Sequence, residues 1–347
     1  MHAIAAKEEP AVTRITGGLS PSPWFDHAFT SGLFFAALAL GLIALRFPAT
    51  MPGIVLANLW CFAYPHVAST YTRMAFDRAS VREHWRILFL WPLPVLGATA
   101  AVAYFAGITA LTTAYFVWQT WHYTRQSYGI ARAYRRARGG AAEGHDYLTD
   151  TVVFAFPAWG LVNRMHQGPS EFYWNPVHLP AAPHGVVVAL GVLALGSLGA
   201  WLVNAVRAGR SPLAPEGRFV LSHVAITAVS YLLVREITSG WLFINIWHNA
   251  QYLLFVYAFN ARRYRAGVDD AHFVVSWVSQ PSRALAYAAL CFGVGSGFYL
   301  LLGEATARLA ILTAFPVVLV VHHAVNFHHY LADAVLWRSK PSAARTS

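Results

Sequence analysis

Long uncharged runs alternate with short clusters of arginine along the whole chain. Reading from one charged cluster to the next gives ten apolar segments. An ionised side chain at the centre of a bilayer costs about 2.5 to 3.5 kcal/mol, so such runs are typical of transmembrane helices. The predicted spans are residues 28–45, 50–72, 87–106, 108–124, 151–163, 185–206, 219–234, 237–261, 284–303 and 309–332.

Two parts of this pattern need a separate interpretation. The stretch 87–124 has no charged residue and is long enough for two spans of about 20 residues, so we expect a helix break at Gly107. The run 151–163 is short, lies between an aspartate and an arginine, and contains Pro157. We therefore expect the fifth span to be tilted, kinked or only partly inserted.

The arginines predict how the spans are oriented. Loops that follow even-numbered spans carry three or more basic residues, whereas the intervening loops carry one or none. Short basic loops favour the cytoplasmic side, so both termini are expected there, in a bacterial-type inner membrane. The prediction is an all-α, polytopic transmembrane bundle of about ten helices at 24–338, between polar tails 1–23 and 339–347.

Composition supports a membrane protein and argues against other classes. Hydrophobic residues make up 57% of the chain and charged residues only 12%, against roughly 25% in soluble domains. The formal net charge of +10 lies in loops between apolar runs, so we expect the lipid bilayer, not nucleic acid, as partner. Cys61 and Cys291 form no CxxC pair, which excludes a thiolate metal site. The longer loop 165–184 is predicted to be an interfacial flap.

Histidines recur at one depth of the predicted bundle. The chain has 16 of them, and seven lie in spans two, four, eight and ten, one to four turns before the basic end of each helix. These seven are His66, His122, His248, His322, His323, His328 and His329. They predict a belt of imidazoles in the inner leaflet, with no lysine nearby.

Helical spacing sorts the histidines further. One stripe of the last span carries His322, Asn326, His329 and Asp333 at i, i+4, i+7 and i+11. His323 and His328 lie off this stripe and are predicted to be helix-to-helix hydrogen-bond partners or to pack near the membrane interface. Polar residues about one turn from the other histidines are Thr70 with His66, Arg125 and Gln126 with His122, and Asn245, Gln251 and Tyr252 with His248.

This composition is expected of metal ligands and of the residues that orient them. The predicted metal ligands are His66, His122, His248, His322 and His329. The predicted orienting and catalytic residues are Gln251, Tyr252 and Asn326, with Asp333 fixing a histidine tautomer; Gln126 and Arg125 are predicted to contact the cofactor. Neutral imidazoles with a carboxylate suit iron, copper, zinc or manganese, and redox-active iron is the usual choice for a hydrocarbon substrate.

Three short segments resemble a known family. Tyr64-Pro65-His66, Trp121-His122 and Ile246-Trp247-His248 resemble the Pro-His, Trp-His and Trp-His-x-x-x-His segments of the Brp/Blh family, membrane β-carotene 15,15'-dioxygenases of bacteria and archaea. The resemblance implies that the three histidines hold iron and that a carotene is cleaved to retinal. Tyr252 stands where that family has a second histidine, so His322 or His329 would supply the missing ligand.

The leading hypothesis is a membrane-embedded, non-haem iron oxidoreductase for a carotenoid, another isoprenoid or a lipid. One alternative is a haem b protein for electron transfer or quinone chemistry, with two of the histidines as axial ligands. The other is a proton-coupled transporter in which the histidine belt relays protons. The only lysines, Lys7 and Lys340, lie outside the spans, which excludes a retinal Schiff base.

Overall fold

The computed structural model describes residues 18–20, 23–76, 78–139, 146–313 and 315–336. Its α-helices are α1 Pro23–His27, α2 Leu33–Arg46, α3 Met51–Asn58, α4 Tyr64–Thr72, α5 Arg78–Trp85, α6 Pro92–Phe105, α7 Gly107–Ala137, α8 Tyr147–Gln167, α9 His184–Arg207, α10 Pro215–Ala228, α11 Ile237–Arg263, α12 Phe273–Val278, α13 Ala284–Leu312 and α14 Val317–Leu336. Single π-helical turns lie at Ala28–Gly32, Leu59–Ala63, Arg86–Leu90 and Val229–Leu233. Two two-residue strands, β1 Glu171–Phe172 and β2 Asn175–Pro176, pair antiparallel. Across these described ranges the fold is all-α apart from this hairpin.

Four helical stretches are long and apolar enough to cross a membrane. They are Trp24–Arg46, Ser80–Phe105, His184–Arg207 and Ala284–Ile311. Only 17% to 28% of the most apolar part of each is buried, so most of their apolar side chains face outward. Exposing so much apolar surface to water is unfavourable, whereas lipid accommodates it. These helices therefore indicate a membrane protein.

The helices at the centre of the bundle are more polar than those at its edge. Helix α11 is buried along nearly its whole length from Ile237 to Asn260, and it packs on α2, α4 and α10. It carries amide, imidazole and hydroxyl side chains that neighbouring helices cover. Hydropathy therefore finds the outer helices, and the polar residues of the inner helices are left facing one another.

Every predicted span falls on a helical stretch of the structure. Gly107, with φ of +82°, separates α6 from α7, as predicted. The start of the last predicted span, residue 309, is wrong: α13 continues to Leu312, and α14 begins only at Val317.

The helix at the predicted fifth span is longer than predicted. Helix α8 has 21 residues, and two charges taken as its limits lie inside it. Asp150 accepts a hydrogen bond of 3.2 Å from Arg135. Arg164 is 1% exposed and donates to the carbonyl oxygens of Ser230 and Val234 at 2.6 and 2.5 Å. Charges with partners inside the protein do not end a helix, so the charge-to-charge reading shortened this element.

The loop 165–184 packs over one end of the bundle. The side chain of Phe172 is buried, with its ring centroid 5.0 Å from that of Phe116 and 5.7 Å from that of Trp241. The backbone N–H of Tyr173 donates to Thr238 at 2.9 Å. The hairpin thus covers α7 and the start of α11.

Candidate metal centre

Four helices bring their histidines into one buried cluster. The members are His66 of α4, His122 of α7, His248 of α11 and His329 of α14, each at most 5% exposed. Ring centroids are 4.7 Å apart for His66 and His329, 4.8 Å for His66 and His248, and 5.0 Å from His122 to both His248 and His329. The structure therefore assembles four of the five predicted ligand histidines.

The ring nitrogens of three of these histidines, His66, His122 and His329, have the spacing of metal ligands. Nε2 of His66 lies 2.7 Å from Nε2 of His329, so at most one proton fits between them. An ion placed about 2.1 Å from both nitrogens would have an N–ion–N angle of roughly 80°, which suits two neighbouring ligands of one ion. Ligand atoms of His66, His122, His329 and Asp333 all lie within 4.8 Å of one another. Two ligand atoms on opposite sides of one ion are about 4.2 Å apart. The largest separation here is 4.8 Å, so small shifts of the side chains would let all four groups bind one ion.

Four buried atoms of the cluster and of Asp333 lack hydrogen-bond partners among the described residues: Nδ1 of His66, Nδ1 of His248, Nε2 of His122 and Oδ2 of Asp333. Oδ2 of Asp333 lies 3.7 Å from Nε2 of His329. A buried polar group without a partner costs about 1 to 3 kcal/mol, so Nε2 of His122 and Oδ2 of Asp333 fit a role as ligands of a cation.

A hydroxyl group fixes the orientation of His329. Thr70 Oγ1 lies 3.1 Å from Nδ1 of His329 and 3.0 Å from Oδ1 of Asp333. The threonine proton goes to the carboxylate, so the hydroxyl oxygen accepts from Nδ1–H of His329 and leaves Nε2 with its lone pair toward the cluster. Tyr252 donates to the same Oδ1 at 2.5 Å. Asp333 was expected to set a histidine tautomer, and the structure places Thr70 between the two residues.

The local sequence explains how His66 reaches the cluster. Pro65 has no backbone N–H, and the π-helical turn Leu59–Ala63 directly precedes this part of the helix. Helix α13 approaches closely here because of Gly295, where an added Cβ would lie 2.6 Å from the carbonyl oxygen of Tyr64. The backbone just before His66 is therefore packed closely against α13.

Tyrosine rings cover the imidazoles. The pairs are Tyr252 on His66 at 4.3 Å, Tyr330 on His122 at 4.2 Å and Tyr123 on His248 at 4.0 Å between centroids. Sequence reasoning missed Tyr123 and Tyr330. The available signal was that each follows a cluster histidine directly, which lets its ring cover the histidine of a neighbouring helix.

Carboxamides surround the side of the cluster near His248. Asn245 accepts from Asn58 at 2.6 Å and from Asn249 at 3.0 Å, and donates to the hydroxyl of Tyr123 at 2.5 Å. Asn58 was not predicted from the sequence, since it lies two turns before His66 and on the far side of the π turn.

Of the other predicted cofactor and catalytic residues, some contact the histidine cluster and others do not. Gln126 donates to the backbone carbonyl of His248 at 3.3 Å. Gln251 is buried, and its amide makes no hydrogen bond to any described residue. Arg125 lies over the rings of Trp121 and Tyr128, at 6.0 and 5.1 Å, on a face where Trp121 is 53% exposed. The structure thus places Arg125 outside the cluster, because its cation stacks on aromatic rings at the helix surface.

The other three histidines of α14 lie outside the cluster, as the stripe predicts for His323 and His328 but not for His322. His328 bonds to the carbonyl oxygen of Ile87, in a neighbouring segment, at 2.7 Å, as predicted. His323 bonds at 2.7 Å to the carbonyl oxygen of Leu319, one turn earlier in its own helix, so the predicted helix-to-helix bond is not made by this residue. His322 lies on the stripe but does not join the four-histidine cluster, because it is two turns before His329. Its ring centroid lies 6.0 Å from that of Tyr299.

A cavity of about 40 Å³ extends from the cluster. Each helix lines it with its histidine and with residues three and seven positions earlier: Leu59, Ala63 and His66; Tyr115, Gln119 and His122; Trp241, Asn245 and His248; His322, Asn326 and His329. The shared spacing means that the four helices run in the same direction and at the same depth. One water needs about 10 to 15 Å³ of such volume, so the cavity has room for a few small molecules.

Comparisons with known protein families, with characterised proteins and with solved structures find no match to this chain. The similarity to the Brp/Blh family therefore rests on the three short segments alone. The histidines of those segments, His66, His122 and His248, are three members of the cluster.

Proposed function

We propose that this chain is a membrane-embedded, metal-dependent oxidoreductase with non-haem iron held by His66, His122, His248 and His329. The observation that carries the proposal is the meeting of four buried imidazoles from four helices, with two Nε2 atoms only 2.7 Å apart. Polar groups within a membrane protein are expensive and usually functional.

A purely structural role explains the cluster less well than a metal does. Single intramembrane histidines bond to a backbone carbonyl, as His328 does here to Ile87 of a neighbouring segment and His323 does to Leu319 of its own helix. The cluster histidines instead face one another, and buried atoms of His122 and Asp333 lack partners among the described residues. One cation would satisfy both features.

The donor set favours non-haem iron. Neutral imidazole nitrogens with one carboxylate suit a redox-active first-row metal, and iron there would supply dioxygen activation. Four histidines crowd one point, whereas haem b takes axial imidazoles on the two opposite faces of a porphyrin. This arrangement favours the proposal over the haem b alternative.

The residues around the cluster have distinct proposed tasks. Thr70 and Asp333 hold His329 with its Nε2 deprotonated, and Tyr252 holds Asp333. Tyrosine rings and the amide of Asn245 exclude bulk water and fix the imidazole planes. The proposed substrate is a hydrophobic molecule of the carotenoid, isoprenoid or lipid class, supported by the apolar outer helices and the family resemblance. A molecule larger than the cavity reaches the cluster only when the surrounding helices separate.

The topology proposed with this function is a multi-pass bundle of ten spans in a bacterial-type inner membrane, with both termini cytoplasmic. The parallel direction of α4, α7, α11 and α14 supports it, since these helices correspond to even-numbered spans. Reporter fusions after α9 and after α11 test it. Both junctions should report the cytoplasm, and a periplasmic signal at either would contradict the topology.

The test of the function is elemental analysis combined with an absorption spectrum of the detergent-purified protein. We expect stoichiometric iron without a Soret band, and His248→Ala should lose the metal. His323→Ala is the matched control, because His323 is also buried and bonded yet outside the cluster. A Soret band would favour the haem protein instead. Metal-free protein with pH-dependent solute uptake would favour a transporter.

A further inference from the structure

His322 has a ring without a hydrogen-bond partner among the described residues, although it lines the same cavity as the histidine cluster. It is half-buried, and its nearest ring neighbours are Tyr299 and His323, each at 6.0 Å. Buried and half-buried imidazoles elsewhere in α14 have partners: His323 and His328 bond to backbone carbonyls. The free ring of His322 therefore faces a position where a ligand can supply the missing bond.

Distance separates this position from the metal centre. His322 precedes His329 by seven residues, which is about 10 Å along the helix axis. Asn326 lies between them on the same stripe and donates to the backbone carbonyl of His322 at 2.8 Å. His322 cannot ligate the ion held by His329, but both residues can contact one elongated molecule.

The surroundings of His322 are mostly aromatic and apolar. The rings of Tyr64 and Tyr299 stack with centroids 3.8 Å apart and planes at 15°. Leu59 and Ala63 complete this wall of the cavity. A single neutral imidazole in such a wall can accept from a hydroxyl or donate to a carbonyl, while the remainder contacts hydrocarbon.

We propose that His322 and Asn326 form the polar end of the substrate site and bind a hydroxyl or carbonyl group at the end of an apolar chain. This inference rests on the proposed function and adds the substrate class: a hydrocarbon chain whose reacting bond lies about 10 Å from a terminal oxygen. His322 is then a specificity residue and not the metal ligand that the stripe in the sequence predicted.

The experiment measures binding of two fluorescent probes to the full-length protein in lipid nanodiscs. The probes are an eighteen-carbon conjugated tetraene with a terminal primary alcohol and the hydrocarbon of the same length, each corrected for partition into empty nanodiscs. The variants are His322→Leu and, in case that variant does not fold, His322→Gln and Asn326→Leu. His323→Leu is the matched control. Metal content is measured on every sample.

We expect the wild-type protein to prefer the alcohol, and His322→Leu to weaken alcohol binding by on the order of 2- to 10-fold, the value of one neutral hydrogen bond. Hydrocarbon binding and metal content should not change. Loss of metal in the variant, or an unchanged preference for the alcohol, would overturn the inference. Wild-type protein that lacks metal but prefers the alcohol would contradict the proposed function and leave the polar site standing.

Discussion

Replacing Thr70 by valine tests how the structure prepares His329 for metal binding. The change keeps the shape of the side chain and removes one hydroxyl. That hydroxyl oxygen lies 3.1 Å from Nδ1 of His329, 3.0 Å from Oδ1 of Asp333 and 3.0 Å from the hydroxyl of Tyr252. Without it, the Nδ1 proton has no acceptor and the imidazole is free to rotate or to change tautomer.

The size of the effect follows from these contacts. Residues that orient a metal-bound histidine typically contribute 10- to 100-fold in affinity, or about 1.4 to 2.7 kcal/mol. We expect Thr70→Val to weaken metal binding by that factor. The buried donor left behind should also lower the free energy of unfolding by about 1 to 3 kcal/mol.

The assay is competition between the protein and a chromophoric chelator for added ferrous ion under anaerobic conditions. Thr72→Val is the control, since Thr72 is buried on the same helix and bonds to the carbonyl oxygen of Ser69 at 2.7 Å, away from the cluster. The control should lose stability but keep its metal affinity. Equal affinities of wild type and Thr70→Val would refute the role assigned to this hydroxyl.

Three further predictions concern the fold around the site. Gly295→Ala should lower the free energy of unfolding by about 1 to 3 kcal/mol, and with it the thermal midpoint in detergent, because the added Cβ meets a backbone oxygen of α4 at 2.6 Å. Gly293→Ala is the control and should leave the midpoint unchanged, because its added Cβ meets nothing within 4 Å. Burial raises the pKa of Asp146, but hydrogen bonds from the side chain and backbone of Thr149 outweigh it and hold that pKa below its usual value. Asp146→Ala should therefore cost about 1 kcal/mol at neutral pH, and the difference from wild type should shrink as the pH falls below about 3.9 and through the lower pKa of the folded state; a constant difference in pH-dependent unfolding would contradict this. Arg164→Met should destabilise the protein by several kcal/mol, since the buried carbonyl oxygen of Ser230 and the part-buried one of Val234 lose a charged donor; unchanged denaturation would show that they find other partners.

The sequence predicts the helices well because charge is costly in lipid, and it is least accurate where charges are paired inside the protein. Gly107 ends a helix as expected, since its positive φ suits glycine. Asp150 and Arg164 were predicted to limit the fifth span, yet both lie inside α8 and have partners within the protein. Pairing between distant residues is not visible in one sequence.

The candidate site was predictable in its composition and less so in its geometry. Helical spacing placed His329 and Asp333 on one stripe and separated them correctly from His323 and His328. The same stripe also contained His322, because spacing along one helix gives direction but not the depth at which neighbouring helices meet. The prediction that Arg125 lies beside the cluster was wrong for a related reason. A residue at the edge of a helical stripe can turn to the surface of the bundle, as Arg125 does when it stacks on Tyr128.

X-ray absorption at the metal edge of the purified protein tests the central claim most directly. We expect stoichiometric iron with nitrogen or oxygen neighbours at about 2.0 to 2.2 Å and the outer-shell scattering of several imidazole rings, reduced by one ring in His329→Ala. Protein that binds no metal, or metal whose spectrum contains no imidazole scattering, would contradict the account.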